Sequence, residues 1–591
     1  MPDDSARQRK VIVIGAGPAG LTAAYDLVGA GLAPIVLEQL PRVGGLARTD
    51  EYRGFHFDLG GHRFFTKVPE VQAMWNAVLG DDFLCRPRLS RIYYDGTFFS
   101  YPLKPFNALA GLGVWQSIRA VLSYLKWQVF PHPVEETFEQ WVTNRFGRRL
   151  FLAFFKSYTE KVWGIPCSDL RAEWAAQRIQ DLSLRSAVLN MLRSSGGRIK
   201  TLIEEFHYPR RGPGMMWEAV QQAVVRGGGA VRVGAEVVRI RRRGRTVESV
   251  VIRDGGREEI LDASAFISSM PVTELVARIE PPPPPDVVAG AARLTHRDFL
   301  TVCLIVDRAT LFPDNWIYVH DPDVRVGRIQ NYKNWSPDMV PDPARTSLGL
   351  EYFCTEGDDL WRMPDDELVA LATREITKIG LAAAADVIDG CVVRVPKAYP
   401  IYGPDYAEHL QVVRRWVDEL ENLQTIGRNG LHRYNNQDHA MVTGSLAVRN
   451  LLHGERHDLW SVNTDAEYHE EVREPAAFDA ALTVVFARLD RVAFATATAA
   501  LGAVLVGVVS ALALLGWAPD VKGGLLLLSQ YFPGYDTTAR GALLGVGYGG
   551  LTGFAVGWTF ALLRNTSVLL RATRLRRRFV ARDLRRMLDY V

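Results

Sequence analysis

Residues 11–14, Val-Ile-Val-Ile, are a charge-free β-branched run that turns at once into Gly15-Ala16-Gly17-Pro18-Ala19-Gly20 and then into 21–28, a stretch of helix-forming composition. Strand, glycine turn and helix in that order admit few folds. A second apolar run, 34–37, ends in Glu38, about 20 residues past the turn, and completes a dinucleotide-binding βαβ unit. The physical reading is specific. Glycines let the backbone approach a pyrophosphate, the helix N-terminus receives its negative charge, and Glu38 accepts hydrogen bonds from a ribose.

Around this unit the chain has 591 residues, 48% hydrophobic and 23% charged, a balance that folds and excludes a disordered tail protein. Its 69 basic and 66 acidic residues leave a net charge of +3, so nucleic acid is excluded as the partner of the bulk of the protein. The five cysteines (Cys85, Cys167, Cys303, Cys354, Cys391) form no short-spaced pairs. They indicate neither a disulfide framework nor a metal site, and a reducing compartment is the natural expectation. The polar first ten residues do not read as a secretory signal, which points to a cytoplasmic catalytic part.

Residues 105–149 are rich in Leu, Ala, Val and Trp with sparse charges and read as a helical insertion. A turn-rich return at 206–214 leads to alternating sheet at 230–241 and a short buried strand at 265–270. Five prolines at 281–285 can continue neither ladder nor helix and suggest an interdomain linker. Strand-like stretches at 299–306, 316–319 and 347–353 suggest a sheet platform, and 423–427 resembles a last core strand entering a glycine turn. The expected division is a discontinuous nucleotide domain (1–104, 205–275, 395–455), a helical insertion (105–204), a substrate-binding sheet domain (276–394) and a connector (456–490).

Two runs near the end carry no charge, 27 residues at 492–518 and 23 at 541–563, each long enough to cross a bilayer core of about 30 Å as helix. A buried helical hairpin of a soluble domain is the alternative, but these runs have Gly, Ala, Ser and Thr where such helices keep a polar stripe. The expectation is a two-helix transmembrane hairpin (491–564) followed by a basic tail (565–591). Arg488 and Arg491 precede the first run, and nine arginines lie between Arg564 and Arg586. Both flanks are therefore expected to be cytoplasmic, with the tail able to lie on anionic membrane lipid.

With these segments in place, the chain resembles glutathione-reductase-like flavoproteins, in the branch of amine oxidases, protoporphyrinogen oxidase and UDP-galactopyranose mutase. The match starts with Gly15, Gly17, Pro18, Ala19, Gly20 and Glu38, continues through Arg42-Val43-Gly44-Gly45 and Arg48, and implies FAD as cofactor. Further strings resemble the mutase. They are Phe57-Asp58-Leu59-Gly60-Gly61-His62; Lys161-Val162-Trp163-Gly164-Ile165-Pro166 leading to Trp174 and Arg178; 206–214; Trp316 and Tyr318 followed by Arg328; Tyr399; and Arg433-Tyr434-Asn435-Asn436-Gln437-Asp438-His439. The resemblance covers about residues 10–452. It implies an α/β fold with an FAD-binding Rossmann domain, inserted helical and β-sheet substrate domains, and a mutase-like isomerisation in which reduced flavin acts as nucleophile on a nucleotide-linked sugar.

In that reading Arg178 and Arg328 grip the diphosphate, Tyr399 and Tyr434 donate hydroxyls to it, and Trp174, Trp316 and Tyr318 hold the substrate. Gly61, His62, Gly427, Asn436, Gln437 and Asp438 lie against the flavin, and no metal takes part. On residue type alone other roles stay open: Arg178 as a solvated helix residue, His62 as a turn cap, Trp316, Tyr399 and Tyr434 as packing. The apolar hairpin departs from soluble mutases and opens the choice of a lipid-linked sugar in place of a nucleotide sugar. NAD(P)H or another reductant would supply the flavin. Two other classes stay open, a flavin oxidoreductase acting on a hydrophobic substrate and a flavin-dependent scaffold for a membrane glycosyltransferase complex.

Overall fold

β-Branched residues at every position make Val11–Ile14 (β1) a strand buried throughout. Pro18, at the first helical position where its missing N–H costs nothing, opens Pro18–Gly29 (α1), and Ile35–Glu38 (β2) returns parallel to β1. Thr49–Tyr52 (β3) and Phe55–Asp58 (β4) form a hairpin across Arg53-Gly54, both with positive φ. Ser90–Tyr94 (β5) and Thr97–Ser100 (β6) form a second across Asp95-Gly96 in the same conformation, the Asp-Gly pairing that two-residue turns favour.

The helical insertion begins with Pro105–Val129 (α2), kinked where Gly113 takes φ +77. Phe138–Phe146 (α3) starts on a capping box of Thr137 and Gln140, and Ser157–Trp163 (α4) ends at Gly164. The chain returns through Ala230–Val233 (β7) and Ala265–Ser268 (β8). His296–Val306 (β9), Trp316–Val319 (β10), Arg328–Asn331 (β11), Thr346–Cys354 (β12) and Val387–Pro400 (β13) follow. Leu423–Thr425 (β14) and Gln437–His453 (α5) come next, and Arg491–Leu514 (α6) and Ala539–Leu588 (α7) are the last helices.

This computed structural model describes residues 10–101, 103, 105–172, 205–463, 490–515, 530–536 and 538–588, with backbone alone at 105–106, 109–110, 114 and 567–588. It divides into two units, Met1–Glu471 and Val472–Val591. In the first, an all-parallel sheet runs β14-β8-β1-β2-β7, and a mixed seven-stranded sheet runs β13-β9-β12-β11-β10-β5-β6. β12 is buried at all nine positions, so it forms the centre of the second sheet's core. The strands expected at 11–14 and 316–319 have those bounds, while 299–306 extends back to His296 because Arg297 pairs with Tyr399 on β13. Pro285, last of the proline run, opens a helix, Pro285–Arg293, that buries Val287 and Ala291.

In the second unit, α6 and the segment Ala539–Thr566 of α7 are long and apolar enough to cross a membrane. They pack through small residues: a Cβ on Gly502 would stand 2.4 Å from the Gly549 carbonyl oxygen, and one on Gly553 2.4 Å from that of Thr498. Gly545, Gly549, Gly553 and Gly557 repeat every fourth residue on that contact face.

Candidate active site

Three turns meet at the N-terminus of α1. Gly15 adopts φ +95, and a Cβ on Gly20 would lie 1.9 Å from the Gly15 carbonyl oxygen, so the helix begins against its own turn. Gly44 donates its N–H to the Ala16 carbonyl at 2.8 Å, and a Cβ on Gly45 would approach the Gly17 Cα to 3.1 Å. Gly427, φ +78, lies against Ala19 from the third side and donates to Thr443 Oγ1 at 2.9 Å. Gly17 precedes the helix with no side-chain cap. Glu38, buried at the end of β2, accepts from the Ala16 N–H at 2.8 Å and the Leu40 N–H at 3.0 Å. Burial raises its pKa while those two donors oppose the rise. Arg48 donates to the Gly45 carbonyl at 3.1 Å and pairs with Asp50 at 3.4 Å.

The second sheet carries a cage built on Arg328 at the start of β11. Its Nε donates to the Tyr158 hydroxyl at 2.6 Å, and its Nη1 to Tyr399 Oη at 3.1 Å and Glu351 Oε2 at 3.2 Å. Nη2 has no protein acceptor among the described residues. Glu351 stands opposite Arg328 on β12, is fully buried, and accepts a second bond from Gln330 at 2.8 Å. Burial raises the pKa of Glu351, and the Arg328 guanidinium pulls it back. Burial works against the charged guanidinium, but Tyr158, Tyr399 and Glu351 outweigh it and keep Arg328 a cation.

A second guanidinium faces the Tyr399 ring. Arg428 donates from Nε to the Asn435 carbonyl at 2.9 Å and from Nη1 to that of Ala398 at 3.0 Å. Its Cζ lies 4.6 Å from the ring centre of Tyr434 and 5.6 Å from that of Tyr399. The two tyrosines stack at 5.5 Å and 12°. Burial pushes the Tyr399 hydroxyl up to about 12, so it stays a proton donor. His62 donates from Nε2 to the Leu59 carbonyl at 2.8 Å. Burial, helped by the nearby Arg428 and Arg328 charges, takes its pKa down to about 4, so it is neutral at physiological pH.

Trp316 is buried with its ring edge on the backbone of Gly61, where a Cβ would overlap Cζ3 at 1.1 Å. Its ring lies 5.6 Å from Tyr318 and 5.3 Å from the Arg328 Cζ. Gln437 is held by the Trp217 indole N–H at 3.1 Å, while Asn436 and His439 form the capping box of α5, and buried Asp438 accepts from the His439 N–H at 2.8 Å. Arg328, His62, Tyr399, Tyr434, Trp316 and Tyr318 are thus brought together; Arg178 and Trp174 lie outside the described residues. Sequence reasoning missed Arg428, Glu351 and Tyr158. Glu351 left a signal, as the one charge in the otherwise apolar run Ser347-Leu-Gly-Leu-Glu-Tyr-Phe353. Arg428 follows directly on the expected last core strand and its glycine.

Residues 18–432 match the family of flavin containing amine oxidoreductases. The chain belongs to that family. It is 26% identical over 437 residues to coproporphyrinogen III oxidase of Mycobacterium tuberculosis (strain ATCC 25618 / H37Rv), covering 69% of this chain and 90% of the relative. It is 27% identical over 328 residues to an L-amino-acid oxidase of Crotalus adamanteus, covering 49% and 56% of the two chains. Among solved structures, reduced UDP-galactopyranose mutase superposes with a TM-score of 0.68 at 20% identity, over 78% of this chain and 99% of that one. At that identity the likeness is one of fold.

This flavoenzyme has FAD as its cofactor, and the cradle at α1 fits it. The uncapped helix start, the two glycine turns in contact and the buried Glu38 carboxylate are the groups that hold a dinucleotide's pyrophosphate and ribose. Side chains larger than hydrogen at Gly20 or Gly45 would close that approach.

Proposed function

We propose that this chain is a membrane-anchored FAD-dependent enzyme that binds a sugar joined to a diphosphate, nucleotide- or lipid-linked, and isomerises or otherwise transforms the sugar with reduced flavin. The carrying observation is the pair Arg328 and Arg428, whose guanidinium carbons stand 6.0 and 5.6 Å from the same Tyr399 ring centre. Each has two nitrogens anchored to protein and Nη2 without a protein acceptor among the described residues. Planar cations so held match the spacing of phosphate oxygens, and the one carboxylate bonded to them among the described residues, Glu351, cannot neutralise both.

Reduced flavin supplies an electron-rich ring that can act as a nucleophile. The protein's own part is to take the negative charge of the departing diphosphate. Arg328 and Arg428 bind its oxygens, and the Tyr399 and Tyr434 hydroxyls add donors. Trp316 and Tyr318 offer ring faces for a base or sugar. Neutral His62 places no extra positive charge beside the flavin. Arg178 remains a further candidate for the diphosphate and Trp174 for the substrate. The apolar helices α6 and α7 support a hairpin anchor, and the arginines flanking them support a cytoplasmic catalytic unit and tail. NAD(P)H or another reductant would keep the flavin reduced.

The test is anaerobic incubation of dithionite-reduced, full-length protein with UDP-galactose, then borohydride trapping and mass determination of the flavin. A sugar–flavin adduct is expected. The second reading, oxidation of a hydrophobic substrate, is favoured by the mycobacterial oxidase relative and by the aromatic lining of the cage. Stoichiometric flavin reduction by such a substrate, with no adduct, would establish it in place of the first.

A further inference from the structure

We infer that α2 is an interfacial helix whose outer face docks on the surface of an anionic lipid bilayer. Trp115, Ile118, Leu122, Leu125 and Val129 recur at alternating spacings of three and four, one stripe along the helix, and with Phe130 they are between 45% and 70% exposed. The other side of α2 is already committed. Ala108 and Ala120 are buried in a cluster with Phe99 and Phe154, and a Cβ on Gly111 would stand 2.4 Å from the Phe99 ring. A helix with one face buried on the protein normally turns polar residues outward, and this one turns out a second apolar face.

Charge identifies what covers it. From Gly96 to Val134 the chain has no Asp or Glu, while exposed Arg119 and Lys126 flank the stripe. Arg119 lies over the Trp115 ring at 5.2 Å and Lys126 over Trp127 at 5.8 Å, an arrangement that leaves cations at headgroup level above a buried apolar face. A second copy of α2 would bring like charges together with no acid to pair them, and the stripe covers only about two heptads, short for a coiled coil. Anionic lipid satisfies both the apolar area and the cations. The inner side of α2 reaches the cage, since Ala108 and Ala120 share a buried cluster that Tyr318 packs against, and the Tyr318 edge meets Tyr158 at 5.6 Å. A substrate with a lipid tail would therefore reach Arg328 from the membrane plane, a consequence that rests on the function proposed above, whereas the docking itself does not.

The test uses the full chain reconstituted in phosphatidylcholine vesicles containing phosphatidylglycerol, with exposed Cys85 replaced by Ser. A polarity-sensitive fluorophore is attached at Leu122→Cys, at Leu125→Cys, at the exposed control Ile260→Cys, or at Val508→Cys in α6. The α2 probes are expected to emit as in an apolar medium and to lose most of their fluorescence when the lipid tails carry bromine, while the Ile260 probe stays wet and unquenched. Wet α2 probes would overturn the inference. So would dry α2 probes that bromine leaves bright, because protein, either a second copy or another stretch of this chain, would then cover the stripe. The Val508 probe reports the hairpin separately, so loss of the anchor and loss of α2 docking give different patterns.

Discussion

Arg328 donates from Nη1 to Glu351 Oε2 at 3.2 Å, and the Glu351 side chain has no solvent-exposed area. Removing one partner leaves the other charge buried and uncompensated. Arg328→Met is expected to destabilise the protein by about 3–5 kcal/mol, whereas Glu351→Gln, which keeps a neutral acceptor for the guanidinium, should cost roughly 1–3 kcal/mol. Urea unfolding of the FAD-loaded catalytic unit within the full chain measures both. Equal, small losses would mean that water reaches the pair.

Arg428→Lys tests the second cation. A lysine can still occupy the space but presents a point charge in place of a planar fork, and it cannot bond both the Asn435 and Ala398 carbonyls while also reaching a phosphate. Affinity for UDP should fall about 10–100-fold, the loss of one charge-assisted bond, with FAD content unchanged. Calorimetric titration of the variant with UDP reads this directly. A purely structural Arg428 would lower thermal stability and leave UDP binding alone.

The difference between what could and could not be read beforehand follows from range. β1, the glycine turn, α1 and Glu38 are one local unit of 28 residues, each residue constrained by its neighbours in sequence; β1 has the expected bounds, the helix starts three residues early because Pro18 opens it, and the second strand is shifted by one residue to end on Glu38. The cage has no such continuity. Tyr158, Arg328, Glu351, Tyr399 and Arg428 come from five separate elements, and only sheet register sets Arg328 opposite Glu351. Resemblance supplied Arg328, Tyr399 and Tyr434; nothing local marks Tyr158 or Arg428 as part of the same cage. Trp316 shows the converse, since its buried edge on Gly61 is visible only once β10 meets the turn after β4.

Gly20→Val should abolish FAD retention with little effect on the second sheet. Its Cβ would fall 1.9 Å from the Gly15 carbonyl oxygen and 3.2 Å from Val13, so either the helix start or the turn must move, and the pyrophosphate loses its donors. Purified variant protein is expected to be colourless by flavin absorbance. Full flavin occupancy would rule out the proposed cradle.

His296 and His432 meet edge to face at 4.8 Å, and burial takes their pKa values down to about 4 and about 3. Both are therefore neutral when folded and protonate from about pH 6.5 downward when unfolded. The unfolded state binds more protons in that window, so this contribution to stability is present above pH 6.5 and is lost as pH falls toward 3–4. His432→Asn, suited to the positive φ of +43 at this position, removes one of the two. Between pH 7 and 5 the wild type should lose roughly 1–2 kcal/mol more than the variant, the carboxylates common to both cancelling. Parallel unfolding curves across that range would exclude the assignment.

In the C-terminal unit, the close approach of Gly502 and Gly549 leaves no room for a side chain: a Cβ on Gly549 would stand 2.6 Å from the Gly502 carbonyl oxygen and 2.9 Å from Val506. One turn position away the geometry is different, since a Cβ on Gly550 would lie 3.7 Å from that of Ala503, close to the spacing of about 3.8 Å in disulfides. Cysteines at Ala503 and Gly550 in the full chain should therefore cross-link rapidly under mild oxidation, read as the mass of the linked proteolytic fragments. Adding Gly549→Leu forces α6 and α7 apart by the width of a side chain and should suppress that cross-link. Helix pairs between which lipid gains nothing by leaving depend on such backbone contact for their association. A cross-link that persists in Gly549→Leu would mean that the loop between the helices, not the glycine face, holds the pair together.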